Sequence, residues 1–125
     1  MPRILVIDDD KDLLEVVHSL LTKRGFVVKS DNNWENGFEK VKEFKPQVIL
    51  LDVFLSGVDG LEICKQLKSN PHTSQIPIVI FSAYPSIAES VIYEYGADDF
   101  IAKPFEVNDL VIKMHSVLSQ TAGLA

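Results

Sequence analysis

Apolar runs and amphipathic stretches alternate five times along the chain. Residues 3–8 contain Ile4-Leu5-Val6-Ile7 with no polar interruption, the pattern of a strand buried on both faces. Leu13, Val17, Leu20 and Leu21 then recur at helical spacing until Gly25 offers a stop. Phe26 to Asp31 predicts a short second strand. Asn33 is placed to cap a helix whose face is Trp34, Phe38 and Val41, and Pro46 ends it ahead of Gln47-Val48-Ile49-Leu50-Leu51, another wholly apolar strand. A turn through Ser56-Gly57-Val58-Asp59-Gly60 leads to a third helix that presents Leu61, Cys64 and Leu67 and breaks at Asn70-Pro71. Ile76 to Phe81 predicts the fourth strand. Ser86-Ile87-Ala88-Glu89 has capping-box spacing, Val91, Ile92 and Tyr95 follow on one face, and Gly96 offers the stop. Phe100 to Ala102 predicts a short fifth strand, and Val107, Leu110, Val111, Met114, Val117 and Leu118 form the final amphipathic stripe.

Five strand–helix units in succession require a parallel sheet with helices on both faces and right-handed crossovers. The first and third strands are the most uniformly apolar and therefore central. Setting them side by side gives the order 2-1-3-4-5, an order known for flavodoxin-like doubly wound sheets. The expected architecture is an α/β, flavodoxin-like (βα)5 three-layer sandwich, one domain over residues 1–125.

Composition narrows the functional classes. With 125 residues the chain can build one real core but not two ordinary ones. Hydrophobic residues at 46% and charged residues at 24% match a soluble globular protein. No apolar run approaches the ~20 residues that span a bilayer, and Pro2-Arg3 leads straight into the first strand without a signal-peptide pattern. A cytoplasmic location and no membrane partner are expected. The single cysteine, Cys64, excludes an internal disulfide and reads as core filler. A net charge of −6 disfavours direct nucleic-acid binding. His18, His72 and His115 are scattered, with no spacing that suggests a metal site or a triad.

The chemistry gathers at strand ends. Asp8-Asp9-Asp10 closes the first apolar run and Asp52 closes the third, so the switch point between those strands brings Asp8, Asp9 and Asp52 together. Two unit charges about 5 Å apart repel by roughly 3 kcal/mol at an effective dielectric near 20, a load that a cation or a proton removes. Ser82 follows the fourth strand and Lys103 the fifth. Taken singly, Ser82 is a loop hydroxyl and Lys103 a solvated lysine; together with the acids they form a site. Asp10 reads as a helix cap, and Asp59 and Gly60 as turn and helix-start residues.

Val6-Ile7-Asp8-Asp9, Leu50-Leu51-Asp52, Asp59-Gly60, Phe81-Ser82-Ala83 and Lys103-Pro104-Phe105, in this order at the ends of alternating elements, resemble the receiver domain of two-component response regulators. The resemblance covers nearly the whole chain. It implies a single-domain, chemotaxis-regulator-like phosphoacceptor switch rather than an enzyme with turnover. Asp52 would accept a phosphoryl group from a histidine kinase or phosphotransfer protein. Mg²⁺ would be held by Asp9, Asp52 and the backbone carbonyl of Phe54, with Asp8 assisting through a water, and Ser82 and Lys103 would bind the phosphoryl oxygens. Ser82 and Phe100 would relay the change to the face of the fourth helix, fifth strand and fifth helix, where an output partner, unknown from the chain, would dock. Both a monomer and a phosphorylation-dependent homodimer fit the resemblance. It also makes Lys103-Pro104 a candidate cis peptide. Ser56 stands where the family often has proline, and bulky Phe54 and Tyr84 flank the site, where they would screen an acyl phosphate from water.

Two alternatives from other classes stand beside this reading. A Mg-dependent phosphohydrolase of haloacid-dehalogenase type also uses a strand-end aspartate, but wants a second aspartate where Phe54 stands. A receiver-like interaction module that ignores phosphate needs no acid cluster at all.

Overall fold

The structure, a computed structural model, describes residues 1–55 and 57–123, with side chains as far as residue 120. Its elements in chain order are β1 (Arg3–Ile7), α1 (Lys11–Lys23), β2 (Val27–Asp31), α2 (Gly37–Phe44) and β3 (Val48–Asp52). A two-stranded hairpin follows, β4 (Phe54–Leu55) against β5 (Val58–Asp59), and then α3 (Gly60–Ser69). The chain closes with β6 (Ile78–Ser82), a short 3-10 turn at Pro85–Ile87, α4 (Ala88–Tyr93), β7 (Asp99–Ala102) and α5 (Val107–Gly123).

The large sheet is parallel throughout and runs β2-β1-β3-β6-β7. Counting only its five members, this is the expected 2-1-3-4-5. Every residue of β3 and β6 is buried, as the continuous apolar runs require for strands covered on both faces. Side chains alternate across the sheet, so Ile4, Val6, Val48, Leu50, Val79 and Phe81 face α1 and α5, where Val17, Leu21, Leu110 and Met114 meet them. Leu5, Ile7, Ile49, Leu51, Ile78 and Ile80 face α2, α3 and α4, against Val41, Ile63, Cys64, Leu67 and Val91. Each such side chain contributes about 1.5–3 kcal/mol when fully withdrawn from water. Cys64 is the expected filler: it is fully buried, and burial pushes its thiol up to about 12.

Several boundaries differ from the sequence reading. Asn33 does not cap α2; its side-chain oxygen accepts the Glu35 N–H at 2.9 Å in a turn, and α2 starts only at Gly37. The cause is Trp34, which packs edge-on to Phe38 at 5.7 Å and lies so close over Gly37 that a Cβ there would meet its ring at 2.2 Å. The capping box at Ser86 also fails to form. Pro85, with its fixed φ, starts a 3-10 turn that contains Ser86, and α4 follows without a side-chain cap. α4 stops at Tyr93, short of Tyr95, and Gly96 then adopts φ +81°. The fourth strand starts at Ile78 instead of Ile76, because Pro77 has no N–H to give and Ile76 N–H turns back to Thr73 O. The first strand ends at Ile7, one residue early, and β3 runs one residue late, through Asp52. Ser56 lies outside the described residues.

Candidate functional site

The acids reach one place because β1 and β3 are neighbours. Ile7 pairs with Leu51, so the next residue on each strand emerges at the same carboxyl end of the sheet. Asp8 turns the chain there: its N–H still reaches Asp31 O at 3.2 Å, while its Oδ1 accepts the Asp10 N–H at 2.9 Å. Asp10 then caps α1 by accepting the Leu13 N–H at 3.1 Å. Three adjacent aspartates thus hold three separate positions. Asp8 is buried, Asp9 is exposed, and Asp10 closes the first turn of a helix.

Lys103 arrives from the end of β7. Its ammonium lies 2.6 Å from Asp8 Oδ2 and 3.3 Å from Asp52 Oδ1, and 4.4 Å above the centre of the Phe81 ring. Its backbone N–H is fixed by Ser82 O at 2.8 Å, and the Lys103-Pro104 peptide is cis, as the resemblance implied. One ammonium therefore faces two buried carboxylates, with Asp9 beside them. Carboxylate oxygens of Asp8, Asp9 and Asp52 all lie within 4.8 Å of one another. Burial, and after it the Asp8 charge, raise Asp52 from 3.8 to about 6, against the lowering pull of Lys103. The cluster holds more negative charge than Lys103 offsets, and its donors are all hard oxygens, the set that suits a small divalent cation.

Ser82 is buried at the end of β6, and its Oγ accepts the Tyr84 N–H at 3.1 Å. Ser82 pairs with Ala102 and Ile80 with Phe100 across β6 and β7. With side chains alternating along each strand, Ser82 and Phe100 share the sheet face that α4 covers. Phe100 is half-buried and packs against the core on that side. Phe54 and Tyr84 form an exposed aromatic lip just beyond the ends of β3 and β6, their rings edge to face at 5.4 Å and 60% and 55% exposed.

Two contributors escaped the sequence reading. Gly60, taken there as a helix-start residue, lies against the β3 end so closely that a Cβ would meet Asp52 O at 2.1 Å and Val53 Cα at 2.9 Å. Asp59 caps α3 through the Leu61 N–H and Gly60 N–H donates to Val53 O at 2.7 Å, so the pair does begin the helix while also bracing the loop after Asp52. Phe81 reads as one more apolar strand residue, yet its ring supports the Lys103 ammonium. Only the offset between the ends of β6 and β7 places it there.

The open α/β sheet with this strand-end cluster at its switch point has counterparts among known proteins. Residues 4–115 match the family described as response regulator receiver domain, and the chain belongs to it. The response regulator MprA of Mycobacterium ulcerans is 34% identical over 120 residues, 95% of this chain and 51% of that protein. RpaA of Synechocystis, described as a DNA-binding dual master transcriptional regulator, is 32% identical over 122 residues, 97% of this chain and 51% of its own length. The chain spans about half the length of these curated relatives. Among solved structures, the receiver domain of NtrX from Brucella abortus superposes with a TM-score of 0.84 at 29% identity, covering 93% of this chain and 98% of that one. Family membership displaces the phosphohydrolase alternative. Among the described residues no helix is long and apolar enough to cross a membrane.

Proposed function

We propose that the chain, as one receiver domain over residues 1–125, is the phosphoacceptor switch of a cytoplasmic two-component relay, with Asp52 as the residue phosphorylated. The observation that carries this reading is the arrangement around Lys103: a buried strand-end carboxylate, Asp52, shares one ammonium with Asp8 while Asp9 stands within reach of both. The phosphoryl donor is a histidine kinase or phosphotransfer protein, and the reaction is one transfer followed by slow hydrolysis, not turnover.

Asp9, Asp52 and the Phe54 carbonyl would hold Mg²⁺, with Asp8 acting through a water. When bound, the ion supplies the positive charge that offsets both the acid cluster and the incoming phosphoryl oxygens. Lys103 keeps Asp52 ionised at neutral pH by opposing the effects of burial and Asp8. An Asp52 oxygen attacks phosphorus, the bond from phosphorus to the donor nitrogen breaks, and an acyl phosphate results. Lys103 then turns its ammonium from the Asp52 carboxylate toward the phosphoryl oxygens, as the charge there changes by about −1.5 to −2. Ser82 donates a hydrogen bond from its hydroxyl to the same group. That motion draws Oγ away from the Tyr84 N–H and opens space on the face that Phe100 shares, which biases Phe100 toward burial. The altered face of α4, β7 and α5 then binds a protein partner or a second copy of the chain.

The test is phosphorylation by acetyl phosphate or a phosphorylated kinase with Mg²⁺ present. The wild type gains an acid-stable, base-labile phosphate that Asp52→Asn lacks. Ser82→Ala accepts phosphate but no longer shifts the amide signals around Phe100. A labelled acyl phosphate on Asp52→Asn overturns the assignment, and a wild type that never takes phosphate supports the phosphate-independent module instead.

A further inference from the structure

The cations of this protein are unevenly answered. Lys40, Lys68, Lys103 and Lys113 each meet an aspartate. Lys11, Lys23, Arg24, Lys29, Lys65, Arg3, Lys42 and Lys45 meet no carboxylate among the described residues, and of these Arg3, Lys42 and Lys45 stand together around one open cavity of about 590 Å³. No acidic side chain lines it, in a chain with 18 acids against 12 lysines and arginines. His72 adds a polar edge, and Val41, Pro46 and Ile76 supply apolar wall. The cavity lies at the amino ends of β1 and β3, about 16 Å of strand away from Asp52 at ~3.3 Å per residue, and is distinct from the acid cluster.

Arg3 decides the sign of this site. A helix carboxyl end carries partial negative charge and by itself repels an anion. Arg3 Nε donates to Phe44 O at 3.1 Å and to Lys45 O at 2.8 Å, which answers the last carbonyls of α2. The guanidinium keeps its Nη donors without a protein partner among the described residues, and a planar fork of that kind matches a phosphate or carboxylate. Lys45 holds a left-handed conformation, φ 53°, that closes α2 through its N–H to Val41 O. Its side chain therefore leaves from a fixed corner beside Lys42. Three like charges gathered without a counter-charge repel one another, and an anion seated between them reverses that cost.

We propose that this cavity binds an organic anion, a molecule with one phosphate or carboxylate group on an apolar body. The anionic group sits among Arg3, Lys42 and Lys45, and the body lies on Val41, Pro46 and Ile76. Binding here is independent of phosphorylation at Asp52.

Phenyl phosphate, titrated into the whole chain without Mg²⁺ and followed by backbone amide signals, is the test. Saturable shifts are expected at Val41, Lys42, Lys45, Gln47 and Ile76, at concentrations about tenfold below those needed for inorganic phosphate or for phenol alone, a difference near 1.4 kcal/mol. Lys42→Gln/Lys45→Gln weakens binding about tenfold or more, whereas Lys65→Gln, an exposed lysine elsewhere, leaves it unchanged. Both cavity lysines are exposed, so the fold should persist; Lys42→Gln alone serves if the double variant unfolds. Absence of saturable shifts, equal binding by the lysine variants, or shifts centred on Ser82 and Lys103 overturns the proposal.

Discussion

Lys103 is closer to Asp8 than to Asp52, 2.6 Å against 3.3 Å, although Asp52 is the proposed phosphoacceptor. The Asp8 side chain is 1% exposed and the Lys103 side chain 20%. The ammonium is thus held mainly by Asp8 and is available to Asp52 more by position than by pairing. Lys103→Met strands Asp8 without its counter-charge. Removing one partner of a buried pair costs about 3–5 kcal/mol, and the partial exposure of Lys103 brings the expected loss to about 2–3 kcal/mol. Urea unfolding of Lys103→Met and of Asp8→Asn/Lys103→Met checks this: the double variant should recover part of the loss, and equal midpoints for the two would refute it.

Asp52 predicts a pH dependence of both stability and metal binding. Its folded value, about 6, lies above the ordinary 3.8. The folded state therefore holds that proton more tightly than the unfolded chain does, and the stability this confers is complete below about pH 4 and lost as pH rises through 6. Asp52→Asn should consequently stabilise the unphosphorylated protein by about 1–2 kcal/mol at pH 7, after allowance for solvent screening, and by almost nothing at pH 4. A carboxylate must be ionised to ligate a metal, so with Asp52 as a proposed Mg²⁺ ligand the affinity should fall about tenfold between pH 7 and pH 5. Thermal scans and Mg²⁺ titrations across that range measure both, and a flat pH profile in either would contradict the placement of Asp52.

Gly60 predicts a stability defect with a functional signature. Gly60→Ala puts a methyl group 2.1 Å from Asp52 O and 2.9 Å from the Val53 backbone, neither of which is a flexible side chain that can yield. The loop after Asp52 must shift, at a cost of about 1–3 kcal/mol by the usual scale of overpacking. Because the shift starts at Asp52, the proposed phosphoacceptor, phosphorylation by acetyl phosphate should slow more than the stability loss alone explains. Alanine at Gly25, where nothing lies within 4 Å but φ is +94°, separates the effects: it should cost stability and leave the phosphorylation rate unchanged.

The lip formed by Phe54 and Tyr84 predicts a long-lived acyl phosphate. The rings meet edge to face just beyond the ends of β3 and β6, and on the proposed function they would hinder a water approaching the acyl phosphate in line. Phe54→Asn/Tyr84→Glu removes the cover and brings a carboxylate that can orient water, so phosphate release should quicken several-fold. Both rings are more than half exposed, and folding should be little affected. Phosphate-release curves that superpose for the two proteins would show that the lip has no such role.

How much of this was legible in the sequence follows from what each residue responds to. The order of the large sheet and the convergence of Asp8, Asp9, Asp52, Ser82 and Lys103 were readable, because apolar runs such as Val48 to Leu51 report burial directly and strand ends are fixed by where the runs stop. Asp10 and Gly25 were readable for the same local reason. Asn33 and Ser86 were misread because capping is a competition: Trp34 pressed on Gly37 delayed one helix, and Pro85 began winding early ahead of the other. The role of Gly60 and the support that Phe81 gives Lys103 had no local trace, since each depends on a contact between segments that only the folded sheet brings together.

The uniform burial of β3 carries a cost of its own. With all five residues from Val48 to Asp52 inside the protein, sliding this strand by one position exchanges apolar residues for apolar residues, and the hydrophobic effect barely notices. Loss of either Leu50 or Leu51 yields the same shortened sequence, and if the residues before it keep their register the aspartate falls in the slot of Leu51, wholly buried in the apolar core. A carboxylate there, away from Lys103, is costly to bury unpaired. The phase of this strand is therefore marked by its one acid: residues that could trade places are held in register by the neighbour that cannot.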